Sequence, residues 1–221
     1  MILNHKTKRI IVYIVGLFIL ALGLTLNTKA NLGVSPIISV PYSISQITGL
    51  NFGDLTFIEY ALFVFIEVLI HISEKNKKRI FSDLLQLPLS LIFTRLLNIF
   101  SVCIPTSNKF LVQLLILALA IICTGVGAAM SLSMQFVPNP GDGIVQALAG
   151  KFNKSVGLTK NMFDCLSVCI TLCIGLIFAH TILEIGIGTV IAVLGVGRVI
   201  ALFHHMFESQ IIELVQEEKE L

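Results

Sequence analysis

Five ionisable residues stand inside stretches otherwise made of Leu, Ile, Val and Phe: Glu59, Glu67, Arg95, Asp164 and Arg198. A sixth, Asp142, sits in Pro140-Gly141-Asp142-Gly143. Charge in apolar surroundings is costly, so such residues either pair with one another or line the path of a polar solute or a proton. Helical rise puts Glu59 and Arg95 at one depth, and Asp164 and Arg198 at another. That predicts two ion pairs, Glu59–Arg95 and Asp164–Arg198. Asp142 has its own local rationale. It falls at the third position of a helix opened by Asn139-Pro140, where a carboxylate meets free amides and the positive end of the helix dipole. The glycines on either side also let backbone come close to a partner or a ligand.

Other residue types carry less. Cys165, Cys169 and Cys173 share one helix face, and Cys103 and Cys123 also lie in apolar runs. An odd count inside such runs argues against a disulfide framework. The three-cysteine stripe reads as a soft-metal face or as small side chains for close helix packing, and no Cys-x-x-Cys supports the former. His71, His204 and His205 fall near the ends of apolar runs, where solvated imidazoles are ordinary. No phosphate-binding loop, dinucleotide turn, metalloprotease helix or nucleophile elbow is present, so the chain reads as a non-enzyme without a cofactor.

The elements that must hold these residues follow from composition. Hydrophobic residues make up 56% of the 221 positions and charged ones only 13%, against about 25% charged in soluble domains. Apolar runs occur at Ile10–Asn27, Leu55–Ile72, Leu84–Cys103, Phe110–Met134, Leu158–Ala179 and Ile182–Phe203. Each is near the ~20 residues that cross a bilayer as helix. The class is an all-α polytopic membrane protein with six transmembrane helices. The basic start around Lys6, Lys8 and Arg9 imitates a signal peptide, but the apolar stretch after it is too long for one.

A shift of 104 residues brings Gly23 onto Gly127, Pro36 onto Pro140 and Gly53 onto Gly157, and a shift of 103 brings Arg95 onto Arg198. This predicts two repeats, 10–103 and 110–207, in a single membrane domain spanning 1–221, with 208–221 as an acidic, amphipathic cytoplasmic tail. Under the same shift Asp164 meets Tyr60 rather than Glu59, a rotation of about 100° that weighs against matched ion pairs. Each repeat holds one short segment, Ser35–Thr48 and Asn139–Phe152, opened by an N-cap and a proline at the first helical position. At about 21 Å these are too short to span comfortably. They are re-entrant or interfacial. If they do not cross, each repeat has three spans and the two are inverted. Lys75, Lys77, Lys78 and Arg79 then gather on the same side as the basic N-terminus, which the positive-inside rule favours, with both termini cytoplasmic. An eight-span arrangement is the alternative.

The stretch TKANLGVSPIISVPYSIS, then LLQLPLSLIF, the Pro-Gly-acid-Gly motif, Phe163-Asp164 and GTVIAVLGVG resemble the YczE/YyaS/YitT group of bacterial membrane proteins. The resemblance runs from about Leu22 to Phe203. It implies a multi-pass protein of the bacterial plasma membrane, with Asp142 and Asp164 on that group's acidic positions, and it implies no substrate.

The expected function is a secondary transporter or permease for a small polar or anionic solute. The solute would lie between the repeats and face the two short-helix N-termini, whose free amides suit an anionic group. Ser35, Asn139, Asp142, Glu59, Arg95, Asp164 and Arg198 are the candidate ligands. The expected partners are the lipid bilayer, the solute, and a second copy or another membrane protein, with no nucleic acid. The competing class is a non-transporting scaffold or regulatory partner, with a solidly packed interior in place of a polar cavity.

Overall fold

Each apolar run becomes one helix, and each Pro-initiated segment becomes a short one. The structure is a computed structural model that describes residues 5–216. Residues 1–4 and the tail end 217–221, including Lys219, lie outside the described residues. The helices are α1 (His5–Lys29), α2 (Pro36–Thr48), α3 (Phe52–Ser73), α4 (Lys77–Cys103), α5 (Phe110–Ser133), α6 (Pro140–Lys151), α7 (Val156–Ile174) and α8 (Ile187–Gln216). Six are long and apolar enough to cross a membrane, α7 doing so together with a π-helical turn at Gly175–Ala179. The protein is therefore an all-α, multi-pass membrane protein with two short helices.

The distribution of side chains is the reverse of a water-soluble fold. Ile58, Leu62, Phe65, Leu69 and Ile72 form an exposed stripe along α3, while Thr25, Ser39, Ser43, Thr56, Thr94 and Thr171 are fully buried. Large apolar surfaces of this kind need lipid or protein against them. The buried hydroxyls mostly bond back to carbonyls three or four residues earlier, as Thr25 does to Ala21 and Thr56 to Phe52. In the absence of water this satisfies them within their own helix.

The central contact is α1 against α5. A side chain on Gly23 would run into the Thr124 backbone, and one on Gly127 into the Leu20 backbone. Those two contacts exchange with each other under the 104-residue shift. So do Ser39 with Thr171, which share a 2.7 Å hydrogen bond, and Gly143 with Glu67, whose carboxylate would lie 2.7 Å from a β-carbon at Gly143. The left-handed turns follow the same spacing, Asn31 with Gln135 and Gly49 with Asn153. Helix starts also match, Pro36 with Pro140 and Phe52 with Val156.

The correspondence breaks at the last helix. α3 packs along α4, but α7 has no comparable packing on α8. A side chain on Gly53 would collide with Asn98 and Thr94 of α4, whereas one on Gly157 would meet nothing within 4 Å. The cause is local. Residues 180–186, expected to open the sixth span at Ile182, are not helical. They lie instead as a strap over the segment before α2: Val34 N donates to Glu184 O at 2.8 Å, and Gly188 N donates to Leu32 O at 2.7 Å. Gly33, at φ +104°, and Gly186 allow the two backbones to touch. The equivalent segment before α6 is held by α1, where Arg9 Nη2 donates to Met134 O at 2.6 Å and Tyr13 Oη donates to Val137 O at 2.6 Å.

Two further boundaries differ from expectation. The Ile72–Asp83 connection is mostly helix, since Asn76 caps α4 by accepting from Arg79 N at 3.3 Å. At its other end, α8 leaves helical geometry at Phe207 and resumes, so the helical part of the tail begins at a bend.

Candidate functional site

The first turns of α2 and α6 face a common cavity of about 200 Å³, the liquid volume of about seven waters. Half of its lining comes in pairs separated by 104 residues: Leu20 with Thr124, Leu24 with Ala128, Ser35 with Asn139, Ile37 with Gly141, and Tyr60 with Asp164. The cavity thus sits where the two halves meet. Its chemistry is one-sided, because the first half supplies Leu, Leu, Ser, Ile and Tyr where the second supplies Thr, Ala, Asn, Gly and Asp.

Local sequence explains the two mouths differently. Asn139 caps α6 with its own side chain, Oδ1 accepting from Gly141 N at 3.2 Å. Ser35, expected to cap α2 in the same way, makes no side-chain cap. Its backbone amide donates instead to Oδ1 of Asn27, reached from α1. A β-carbon at Gly141 would lie 2.8 Å from the end of the Ile37 side chain, which can turn aside. The first turns of the two short helices adjoin through that side chain.

α7 provides the charge. Asp164 is buried, and Lys160 one turn earlier places Nζ 3.8 Å from its Oδ1. Lys160 also acts electrostatically on Asp142, so one ammonium serves two carboxylates. The cavity continues between α7 and α8 into a cleft of about 490 Å³, lined by Asn161, Asp164, Cys165, Gly197 and Arg198 among others. Because α7 and α8 do not pack, this opening faces sideways, between two membrane-crossing helices.

Four of the seven residues expected from sequence, Ser35, Asn139, Asp142 and Asp164, line the cavity, and Arg198 lines the adjoining cleft. Glu59 and Arg95 do not. Arg95 is half-exposed and pairs with Asp54 near the start of α3, not with Glu59. Glu59 keeps a buried Oε2 without a hydrogen-bond partner. The reason is the 100° step between neighbouring helical residues: Tyr60 takes the cavity-facing position that Asp164 holds in α7. Asp164 pairs with Lys160 and forms no ion pair with Arg198.

Lys160 and Asn161, near the start of the run Leu158–Ala179, also line the cavity, and hydropathy alone does not single them out. The i,i+4 spacing of Lys160 and Asp164 was the available signal. A second polar group joins Glu67 to His71, which is not the solvated imidazole that its place near a span end suggests. His71 is buried, and its Nδ1 lies 2.6 Å from Asp83 Oδ2. One turn away, Gln86 Nε2 donates to Glu67 Oε2 at 2.6 Å. Glu67 with His71, and Asp83 with Gln86, share faces of α3 and α4.

No curated protein and no solved structure matches the chain. A family model described as a family of unknown function, DUF6198, matches residues 7–205 and so covers the bundle from α1 into α8, and the chain belongs to that family.

Proposed function

We propose that the protein is a secondary transporter or permease that moves a small polar solute across the bacterial plasma membrane. The observation that carries this reading is the cavity between the α2 and α6 N-termini. Irregular backbone at membrane depth is tolerated where it lines such a cavity, and paired broken helices at a repeat interface are a recurring plan of secondary transporters. The exchange of contacts under the 104-residue shift supports two repeats, and three spans in each make them inverted. The motif resemblance to the YczE/YyaS/YitT group belongs to the same reading. Two carboxylates against one ammonium favour a solute that brings a hydrogen-bond donor or positive group to Asp142 and Asp164. Lys160 and the helix-terminal amides take any anionic group. The experiment is a comparison of intracellular and medium metabolites in cells with and without the gene, followed by uptake of the altered compound into proteoliposomes. Wild type restores the difference and Asp164→Asn does not. Equal restoration by both overturns the assignment of the cavity.

Orientation follows from charge. Both termini and the turn between α3 and α4 are cytoplasmic in this proposal, because Lys75, Lys77, Lys78 and Arg79 cluster there. Once the native cysteines are replaced, Asn76→Cys reacts with a membrane-impermeant maleimide only after cells are permeabilised. Labelling in intact cells reverses the orientation.

The alternative reading, a membrane scaffold or regulatory partner, draws on the open side of α7 and α8. Val190, Leu194 and Leu202 of α8 and Leu166 and Ile170 of α7 are exposed, and Leu194 lines the cleft itself, so these helices offer apolar surface to a second copy or another membrane protein.

A further inference from the structure

A second cavity of about 240 Å³ lies between the cytoplasmic-side ends of α3 and α4 and the first turns of α6 in the orientation proposed above. Its polar wall includes Glu67, His71 and Asp83, and Gln86 adjoins it through its bond to Glu67. All four side chains are almost wholly buried, Glu67 and Gln86 at 1% exposure. Gln86 Nε2 donates to Glu67 Oε2, and Asp83 Oδ2 lies 2.6 Å from His71 Nδ1. The Asp83 carboxyl also neighbours Glu67. Two oxygens, Glu67 Oε1 and Gln86 Oε1, are buried with no hydrogen-bond partner.

Buried acceptors without a donor are costly, and two carboxylates side by side cannot both remain charged cheaply. What the group lacks is a hydrogen or a cation. A hard metal cation takes about six or more oxygens, and among the described residues no group of three or more His, Cys, Asp or Glu side chains is placed to hold a metal ion. A proton needs one. The charged groups around the site are few. α3 brings Glu67 and His71, and α4 brings Asp83 and Arg79. α1 brings Arg9, stacked 4.8 Å over Phe136, which also lines the cavity. α6 contributes no charged side chain to the lining, and Lys151 at its end donates to Ser73 Oγ at 2.9 Å.

We propose that Glu67, with Gln86, Asp83 and His71 as its partners, is the binding site of one exchangeable proton, taken from water through the opening beside Arg79 and Ser82. The proton resides on the Glu67 carboxyl and no other bond is made or broken. Its coupling role rests on the transport reading and comes from one turn of α6. Gly143 abuts the Glu67 carboxylate, while Gly141 and Asp142 line the solute cavity. A change of charge at Glu67 therefore acts on the same turn that meets the solute.

The test is infrared difference spectroscopy of the purified full chain between acidic and alkaline buffer, without solute. Wild type gains, on acidification, a carbonyl stretch of a protonated carboxylic acid that shifts in D2O. Glu67→Gln loses it, while Ser39→Ala keeps it. Asp83→Asn, which retains Glu67, keeps the band but displaces it, and serves if Glu67→Gln does not fold. A full-amplitude band in Glu67→Gln, an undisplaced band in Asp83→Asn, or a band that responds to sodium rather than to pH overturns the proposal. The readout needs no substrate. A protein that shows the band yet moves nothing in proteoliposomes keeps its proton site and loses the transport reading.

Discussion

Gly127→Val is expected to abolish the monodisperse protein in detergent, and Gly23→Val to do the same. At both positions a β-carbon would enter main-chain atoms of the opposing helix, Leu20 in one case and Thr124 in the other. Side chains can turn away from an intruder, but a helical backbone cannot. Ordinary overpacking costs about 1–3 kcal/mol. Here the whole helices must separate, and the α1–α5 contact is the one on which both halves are built. The expected cost lies at or above the top of that range, a large share of the ~5–15 kcal/mol that holds a typical domain. Size-exclusion chromatography and thermal unfolding of wild type and the two variants measure this. A monodisperse Gly127→Val protein with an unchanged melting temperature would show that α1 and α5 do not cross there.

Bulky substitution at two other glycines should do the opposite, sparing the fold and removing the activity. Gly157 and Gly197 both line the cavity, and a β-carbon on either would meet nothing within 4 Å. Gly197 also lines the cleft between α7 and α8. Replacing a helical glycine with a better helix former gains up to about 1 kcal/mol. Gly197→Phe is therefore expected to melt no lower than wild type. Its ring occupies the passage between cavity and cleft, and a solute that must pass there loses about 1.4 kcal/mol or more of binding, which is about tenfold. In the metabolite comparison, Gly197→Phe fails to restore the difference that wild type restores. Full restoration by a folded Gly197→Phe protein would rule out the sideways route. Solute entry would then be confined to the helix ends.

The fold was legible in the sequence because membrane physics acts on long windows. Runs of about 20 apolar residues and the proline-initiated short segments needed no knowledge of tertiary contacts, and the helices formed where those runs lie. Gly23 and Gly127 lie at the close approach of α1 and α5, and Pro36 and Pro140 each open a short helix. The site was only partly legible. Depth can be counted along a helix, but the direction a residue faces depends on packing, and one residue of offset turned Glu59 away and Tyr60 inward. Arg95 illustrates the same limit, since its partner, Asp54, lies just before the apolar run that begins at Leu55. Gln86 was invisible for a different reason. A neutral amide in an apolar run carries no charge to flag it, and only the contact with Glu67 reveals its use. The opening between α7 and α8 depends on the non-helical strap at 180–186, which hydropathy reads as part of a span.

That strap has a mechanical consequence. Two main-chain hydrogen bonds tie the start of α8 to the segment that leads into α2, so a displacement of α8 is transmitted to the α2 mouth. The α6 mouth is moored elsewhere, to α1 through Arg9 and Tyr13. The two mouths of the cavity are therefore held by different helices, α8 at one and α1 at the other, while α8 itself leans on α5 and touches α1 little. A shift of α8 relative to α1 would act directly on the α2 mouth alone.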